Sequence, residues 1–228
     1  MKLLIVVLAL MALSACDERD TPFPDLPVHI TEPGSAQAKG VVIFWSGDAG
    51  WSGSMQGIAD ALAKRGYGVV GLSSLSYFWY EQAPETMATD TERLVGHYSD
   101  SWKSDTVILL GYSFGADTLP FAWPHLSEAT KEKTRLIGLL SPFKKTEFEV
   151  TIQGMLGIIR GDHDVVAAID KLPAAQTFCL TGKQETDMAC NTDDGYETVF
   201  VAGGHGYDQD WNRIAALLDT AVDARSDF

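Results

Sequence analysis

The sequence is short of basic side chains, of cysteine and of long apolar runs. Seventeen Lys and Arg stand against thirty-one Asp and Glu, a formal net charge of −14. The few basic residues form no stripe, which argues against binding to a nucleic-acid backbone. There are three cysteines in 228 residues, with no CxxC pair and no Cys/His cluster of zinc-ligand spacing, so no metal and no cofactor is expected.

The longest apolar run, residues 3–13, is too short to span the roughly 30 Å hydrocarbon core of a bilayer. It follows Lys2 and precedes L-S-A-C, which resembles a bacterial lipobox. We therefore expect a signal peptide over residues 1–15, with Cys16 as the lipidated first residue of the mature protein. Asp17 resembles an inner-membrane retention signal, so the predicted location is the periplasm, with the lipid anchor in the inner membrane. The alternative is an ordinary signal peptide in which Cys16 is incidental.

Residues 16–26 are polar and contain proline, and are interpreted as a tether. Beyond them strand-like and helix-like segments alternate, which predicts βαβ units in one α/β domain over residues 27–228, a mainly parallel sheet with helices on both faces. The predicted strands are residues 41–45, 69–72, 106–110, 136–140, 177–180 and 198–201. The predicted helices are residues 55–65, 84–98 and 211–222.

Residues 142–176 interrupt this alternation and are interpreted as a loop with a short helix near the mouth of the site. Within this stretch, residues 147–152 are a possible strand. Asp162, His163 and Asp164 suggest a metal site, but a solvated turn is the favoured interpretation because no further ligand supports it.

The strongest motif is G-x-S-x-G at residues 111–115, directly after a predicted strand. A sharp strand-to-helix turn at this point lifts the Ser113 hydroxyl clear of the sheet, as in the nucleophile elbow of α/β-hydrolases. A serine hydroxyl needs a base to become nucleophilic. The alternative is a glycine-flanked serine in an ordinary tight turn.

In α/β-hydrolases the acid and then the histidine follow the serine along the chain. Of the five histidines, His205 alone lies after the last predicted strand, in a glycine-rich loop. The acid is expected after the strand at 177–180, where Glu185 and Asp187 are both suitable. Spacing does not decide between them.

Two backbone amides are needed to hold a developing oxyanion. Phe114, after the nucleophile, and Asp48, in the loop after the first buried strand, are the predicted donors. Gly47, Trp51 and Asp117 are candidate substrate-binding residues. Helix capping or simple solvation is an equally good interpretation of the two aspartates.

Cys179 and Cys190 form a predicted disulfide, since the oxidising periplasm favours one. Two free buried thiols are the alternative. A bridge here would brace the loop that carries the acid. Residues 78–80 (Phe-Trp-Tyr) form either an exposed apolar patch for lipid or protein contact or part of the core.

The segments FWSGDAGW, GYSFGADTLP, LLSP, CLTGKQETDMAC and GGHGYD together resemble the VirJ/AcvB family of periplasmic α/β-hydrolase-like virulence proteins. The likeness covers most of residues 40–222, although Ala49 replaces the usual glycine and the sequence looks like a single-domain version without the extra N-terminal domain of longer members. It implies a periplasmic serine hydrolase and, by analogy with the longer members, hydrolysis of aminoacylated phosphatidylglycerol, chiefly the lysyl ester. By motif, Ser113 is the nucleophile, His205 the base, and Glu185 or Asp187 the acid.

The function predicted from the sequence is therefore a lipid-anchored esterase whose partners are a membrane phospholipid substrate and the membrane itself. No protein partner is predicted. A general carboxylesterase, thioesterase or lipase is one alternative. A non-catalytic interaction module in envelope assembly or secretion is another.

Overall fold

The computed structural model describes residues 21–155, 161–190 and 195–225. The predicted signal peptide and Cys16 lie outside these ranges. A seven-stranded sheet with the strand order β1-β3-β2-β4-β5-β8-β9 forms the centre of the fold, and all neighbours are parallel except β1, which pairs antiparallel with β3. Its strands are β1 Val28–Thr31, β2 Gly40–Trp45, β3 Tyr67–Leu72, β4 Val107–Tyr112, β5 Thr134–Leu140, β8 Thr177–Gly182 and β9 Glu197–Val201.

Helices connect the strands and cover both faces of this sheet. They are α1 Gly53–Ala63, α2 Ser74–Tyr77, α3 Pro84–Ser101, α4 Phe114–Ala122, α5 Glu128–Lys133, α6 Ile152–Met155, α7 Val165–Ile169 and α8 Trp211–Asp223. Short 3₁₀ turns lie at Trp123–His125 and Tyr207–Gln209. None of the helices in the described part of the chain is long and apolar enough to cross a membrane.

The central strands are apolar throughout because each contributes to two cores. Along β2, Val41, Ile43 and Trp45 face one apolar cluster with α3, α4 and α7. Val42 and Phe44 face the other cluster, with α1 and α8. A strand buried on both faces has no polar alternation, which is why the continuous runs predicted these strands. The prediction of an α/β fold with a mainly parallel sheet is confirmed.

Segments without a strong pattern differ from the prediction. Residues 147–152 form no strand; they run as a loop into α6, and the backbone N–H of Val150 donates to the Phe78 carbonyl 2.7 Å away. The interrupted stretch instead holds a two-stranded pair, β6 Lys145–Thr146 with β7 His163–Asp164, followed by α7. The edge strand β1 was not predicted, since its four residues are only half-buried.

The described end of the predicted tether packs against the domain. Phe23 and Leu26 are buried in the α3-side core. The Phe23 ring lies edge-on to His97 at 5.4 Å, and Arg93 pairs with Asp25 at 2.8 Å. Because the apolar side chains of this segment pack beside α3, folded structure begins before residue 27.

Candidate active site

Four neighbouring parallel strands bring the predicted catalytic side chains to one edge of the sheet. Ser113 follows β4, Glu185 follows β8 and His205 follows β9. In the sheet these strands lie in the order β4-β5-β8-β9. Ligand sites of open α/β sheets form at the carboxyl ends of the strands, which is where these residues lie.

Ser113 occupies a strained turn between β4 and α4, with φ 53° and ψ −120°. A non-glycine residue in such a conformation costs about 1–3 kcal/mol. Two close approaches require the flanking glycines. A Cβ on Gly111 would lie 2.5 Å from the Gly115 carbonyl oxygen, and one on Gly115 would lie 2.3 Å from the Trp45 carbonyl oxygen.

His205 lies in the loop between β9 and α8. Its carbonyl accepts a hydrogen bond from the Tyr112 hydroxyl at 2.8 Å. The imidazole lies near two aromatic rings, with centroids 5.0 Å from Tyr112 and 5.3 Å from Phe143. Because Tyr112 immediately precedes Ser113 and Phe143 lines the same cavity as Ser113, these contacts place His205 at the same end of the sheet as Ser113.

Glu185 is the carboxylate that the structure brings to His205. Its Oε2 lies 2.6 Å from His205 Nδ1. Its Oε1 accepts hydrogen bonds from the Ser141 hydroxyl at 2.6 Å and from the Gly182 amide at 2.7 Å. Burial acts to raise the pKa of Glu185, but the hydrogen bonds from His205, Ser141 and Gly182 together outweigh it and lower the pKa below 4.5. The acid is therefore held ionised.

Asp187, the other candidate acid, is not brought to His205. Its side chain is 60% exposed and lies 3.4 Å from Lys144 Nζ. The backbone at Asp187 adopts the left-handed region, with φ 67°. Of the two acids that spacing left open, the geometry favours Glu185.

Ser141 and Tyr207 form a second layer beneath the acid that the sequence reasoning missed. The Ser141 hydroxyl, bonded to Glu185, also lies 2.5 Å from the Tyr207 hydroxyl. Tyr207 is 2% exposed. The burial of this phenol raises its pKa well above 10, so it stays neutral. Both residues fall in motifs already noted, LLSP and GGHGYD, but neither has a spacing that assigns a role.

A cavity opens beside Ser113, and both predicted oxyanion donors line it, Phe114 at the start of α4 and Asp48 in the loop after β2. Gly47 is not a lining residue, although a Cβ built on it would lie 3.4 Å from the Ser113 Cβ. The remaining lining residues are Asp117, Phe143, Lys145, Thr146, Glu147, Glu149, Val150 and Thr151. The interrupted stretch after β5 thus supplies most of the wall.

The structure separates the other two predicted substrate-binding residues. Asp117 lines the cavity but is buried, and its carboxylate accepts a hydrogen bond from the Phe143 amide at 2.6 Å. It is neither a helix cap nor a solvated surface group. Trp51 does not line the Ser113 cavity; it stacks on His29 with ring centroids 5.2 Å apart, and it covers Gly71 of β3. Its large ring is used in packing.

The predicted disulfide between Cys179 and Cys190 is confirmed. Cys179 lies in β8 and Cys190 follows Glu185, so the bridge closes the segment that carries the acid. The amide of Ala189 also donates to the Pro142 carbonyl at 2.8 Å. These links brace the loop against the end of β5.

Two remaining sequence features are resolved by packing. Phe78 is fully buried, whereas Trp79 and Tyr80 are exposed, so residues 78–80 divide between core and surface. Residues 162–164 are exposed, and the His163 ring packs near Phe148 at 4.6 Å. Within residues 21–155, 161–190 and 195–225, no group of three or more His, Cys, Asp or Glu is arranged to hold a metal ion.

A family model described as bacterial virulence protein (VirJ) matches residues 39–226. No curated protein gives a significant match by sequence. Solved structures of the same fold include Est1E from Butyrivibrio proteoclasticus, 12% identical with a TM-score of 0.61 over 87% of this chain and 93% of that one. A thioesterase domain from the curacin biosynthetic pathway is 13% identical, with a TM-score of 0.58 over 84% and 94%. An α/β serine hydrolase without lid from Xanthomonas campestris is 16% identical, with a TM-score of 0.58 over 86% and 88%. These structures establish the α/β-hydrolase fold.

Proposed function

The chain belongs to the VirJ family of bacterial virulence proteins, and we propose that it is a serine hydrolase that cleaves carboxylic esters. One observation carries the proposal. A buried, ionised Glu185 holds the ring of His205 at 2.6 Å, at the same sheet edge as the strained Ser113 turn. Fold stability alone does not explain why a strained serine, a carboxylate–imidazole pair and a cavity occur at one edge of the sheet.

In the proposed mechanism, Ser113 Oγ attacks the ester carbonyl while His205 Nε2 accepts its proton. Glu185 accepts the hydrogen bond from Nδ1–H and stabilises the imidazolium that forms. The Phe114 and Asp48 amides stabilise the oxyanion, and the start of α4 adds its positive dipole end. The alcohol leaves with the proton returned by His205, and water, activated by the same histidine, then hydrolyses the acyl-enzyme.

The proposed substrate is an aminoacyl ester of phosphatidylglycerol, chiefly the lysyl ester. Four acidic residues and one lysine line the cavity beside Ser113: Asp48, Asp117, Glu147, Glu149 and Lys145. A net negative wall favours an acyl group that carries an α-ammonium, since the attraction is strongest where water is partly excluded. The overall charge of −14 acts in the same direction at longer range.

The proposed location is the periplasmic face of the inner membrane, with a lipid anchor at Cys16. This part of the proposal depends on the sequence of residues 1–17. An enzyme tethered to the leaflet that holds its lipid substrate encounters that substrate at a high effective concentration. Replacing Cys16→Ser is expected to prevent lipid attachment, and mass spectrometry of the purified protein would reveal the absence of the acyl groups.

The first test is labelling with a fluorophosphonate probe, which reacts with activated serines. We expect wild-type protein to be labelled and the Ser113→Ala variant not to be. Failure to label a folded wild-type protein would reject the hydrolase and favour an interaction module.

The second test compares a soluble aminoacyl ester with its N-acetylated counterpart, which lacks the ammonium charge. We expect kcat/KM to be at least about tenfold higher for the charged ester, the effect of roughly 1.4 kcal/mol. The Glu149→Gln variant is expected to lose part of that preference, and the control Asp187→Asn, outside the cavity, is expected to keep it. If wild type shows no preference for the charged ester, the aminoacyl substrate is rejected, and a general carboxylesterase or thioesterase is the remaining interpretation.

A further inference from the structure

Exposed apolar side chains are concentrated on two joined loops. Among the described residues, the exposed large hydrophobic side chains are Trp79 at 59%, Tyr80 at 73%, Ile152 at 76% and Phe200 at 41%. Trp79 and Tyr80 lie on one loop, Ile152 begins α6 directly after another, and the two loops pair through their backbones. The amide of Val150 donates to the Phe78 carbonyl at 2.7 Å, and that of Gln82 donates to the Phe148 carbonyl at 2.9 Å.

These loops border the cavity that contains Ser113. Glu149, Val150 and Thr151 line that cavity, and Ile152 follows them directly. On the other loop, the Phe78 ring packs edge-on against Phe114, one residue after the nucleophile, at 5.2 Å. Trp79 and Tyr80, which we name the aromatic rim, and Ile152 therefore directly follow residues that pack against Phe114 or line the Ser113 cavity.

The two buried members of these loops anchor the exposed ones. Phe78 is fully buried and Phe148 is 8% exposed, so each loop has its own apolar contact with the core. The rim side chains are consequently presented outward on a fixed base. Large apolar groups in such a position do not contribute to the core, and a cluster of them on a soluble domain indicates a contact surface.

We propose that the aromatic rim is a membrane-docking surface that seats the mouth of the Ser113 cavity on the lipid leaflet. Trp and Tyr combine an apolar ring with a polar N–H or O–H, and they are enriched where a bilayer meets water. This inference rests on the proposed function, because it takes the membrane as the place where the substrate lies.

Two further observations favour a bilayer as the occupant. If Cys16 carries the anchor, the five residues from it to Thr21 reach at most about 18 Å, so the domain stays at the membrane surface. Glu81, Glu147 and Glu149 lie on the rim loops. Their charge is complementary to a leaflet that carries cationic aminoacylated lipids and would oppose docking on a purely anionic one.

Docking itself is tested without turnover. The full, lipidated protein is reconstituted in vesicles that contain phosphatidylcholine brominated on its acyl chains, which quenches tryptophans in contact with it. We expect part of the fluorescence to be quenched, and most of that quenched part to disappear in the Trp79→Phe variant. The control Trp211→Phe, on α8, is expected to leave it unchanged. Equal quenching with and without Trp79 would overturn the proposal.

The consequence for catalysis is tested with the Trp79→Ala/Tyr80→Ala double variant. We expect hydrolysis of lysyl-phosphatidylglycerol in vesicles to fall at least fivefold, and hydrolysis of a soluble aminoacyl ester to stay within twofold of wild type. Phe200→Ala, an exposed aromatic on the edge strand β9, is the matched control and should change neither rate.

The outcomes separate docking from catalysis. Equal losses on both substrates would mean that the rim supports the cavity itself, which contradicts the proposal, as would an unchanged rate on vesicles. If the wild-type protein hydrolyses neither ester, the proposed function fails, and the quenching measurement still decides whether the rim contacts the bilayer.

Discussion

Replacing Glu185→Gln is the sharpest test of the site, because glutamine keeps the shape of the side chain and most of its hydrogen bonds. The Gln carbonyl oxygen takes the place of Oε1 and accepts from the Ser141 hydroxyl and the Gly182 amide. The amide nitrogen then faces His205 Nδ1, where the carboxylate oxygen stood at 2.6 Å. An amide N–H donates, so Nδ1 must become the acceptor and the imidazole proton moves to Nε2.

This change of tautomer disables the base. In this neutral tautomer Nε2 carries the proton, so it has no free lone pair with which to accept the Ser113 proton. The corresponding change in serine proteases lowers kcat by about 10⁴. We expect a loss of about 10³- to 10⁴-fold here, which corresponds to about 4–5.5 kcal/mol of transition-state stabilisation.

Asp187→Asn is the matched control. The Asp187 side chain is 60% exposed and lies 3.4 Å from Lys144, a contact of the kind worth about 0–1 kcal/mol. Asparagine also tolerates the positive φ of 67° at this position. We expect its rate to stay within about fivefold of wild type, since a full loss of about 1 kcal/mol corresponds to about a fivefold change in rate.

The assay is the initial rate of hydrolysis of a soluble aminoacyl ester, with circular dichroism to establish that both variants are folded. Equal and mild losses in the two variants would refute the assignment of Glu185, and a larger loss in Asp187→Asn would reverse it. The free energy of unfolding of the Glu185→Gln variant is expected to lie within about 1–2 kcal/mol of that of wild type, since its hydrogen bonds are largely kept.

Four further predictions concern Ser113, Gly115, the Cys179–Cys190 bridge and the pH dependence that Glu185 gives to stability. Ser113→Ala should abolish ester hydrolysis, and Ser113→Gly should do so while unfolding at a higher temperature than the alanine variant, because glycine relieves the φ of 53°; equal melting temperatures would contradict the strain. Gly115→Ala should destabilise the fold by about 1–3 kcal/mol or more in urea titrations, because its Cβ would lie 2.3 Å from a backbone oxygen of β2; unchanged stability would contradict that packing. Reducing the Cys179–Cys190 bridge, with a separation of 11 residues, should cost about 3 kcal/mol and lower the rate more than the folded fraction; a rate that follows the folded fraction would show that the bridge does not brace the acid. The pKa of Glu185 is lowered in the folded state, so its contribution to stability is complete above pH 4.5 and is lost as the pH falls through the lowered pKa. Wild type should therefore lose more stability on acidification below pH 4.5 than the Glu185→Gln variant does. Parallel losses of stability in the two proteins would contradict this prediction.

Local signals in the sequence were sufficient for the main elements of the fold. Continuous apolar runs predicted the central strands, since a parallel strand covered on both faces is apolar at every position. The helices predicted at residues 84–98 and 211–222 match α3 and α8 closely, and in the structure Pro84 begins α3 and the Asp210 side chain caps α8. Short elements such as β1 and the β6–β7 pair have too few residues to show a period, so only their pairing partners define them.

For the candidate site, the sequence by itself determined the nucleophile motif and the order of serine, acid and histidine, because the elbow needs its glycines at fixed neighbouring positions. Only the tertiary structure distinguishes Glu185 from Asp187 as the candidate acid. The two carboxylates are two residues apart in one loop, and the difference lies in the hydrogen-bond donors that surround each. Those donors come from Ser141, Gly182 and His205, on three separate parts of the chain.

The same reason explains Trp51 and the aromatic pair at residues 79–80. An aromatic residue beside a loop is equally able to fill a core, line a cavity or face solvent, and its sequence neighbours do not distinguish these outcomes. Trp51 is partly buried against His29 and Gly71, away from the cavity, whereas Phe78 occupies the core position and Trp79 is exposed. Chemistry that depends on adjacent residues is therefore visible in the sequence, whereas chemistry that depends on what folds against a residue is set by the assembled sheet and its loops.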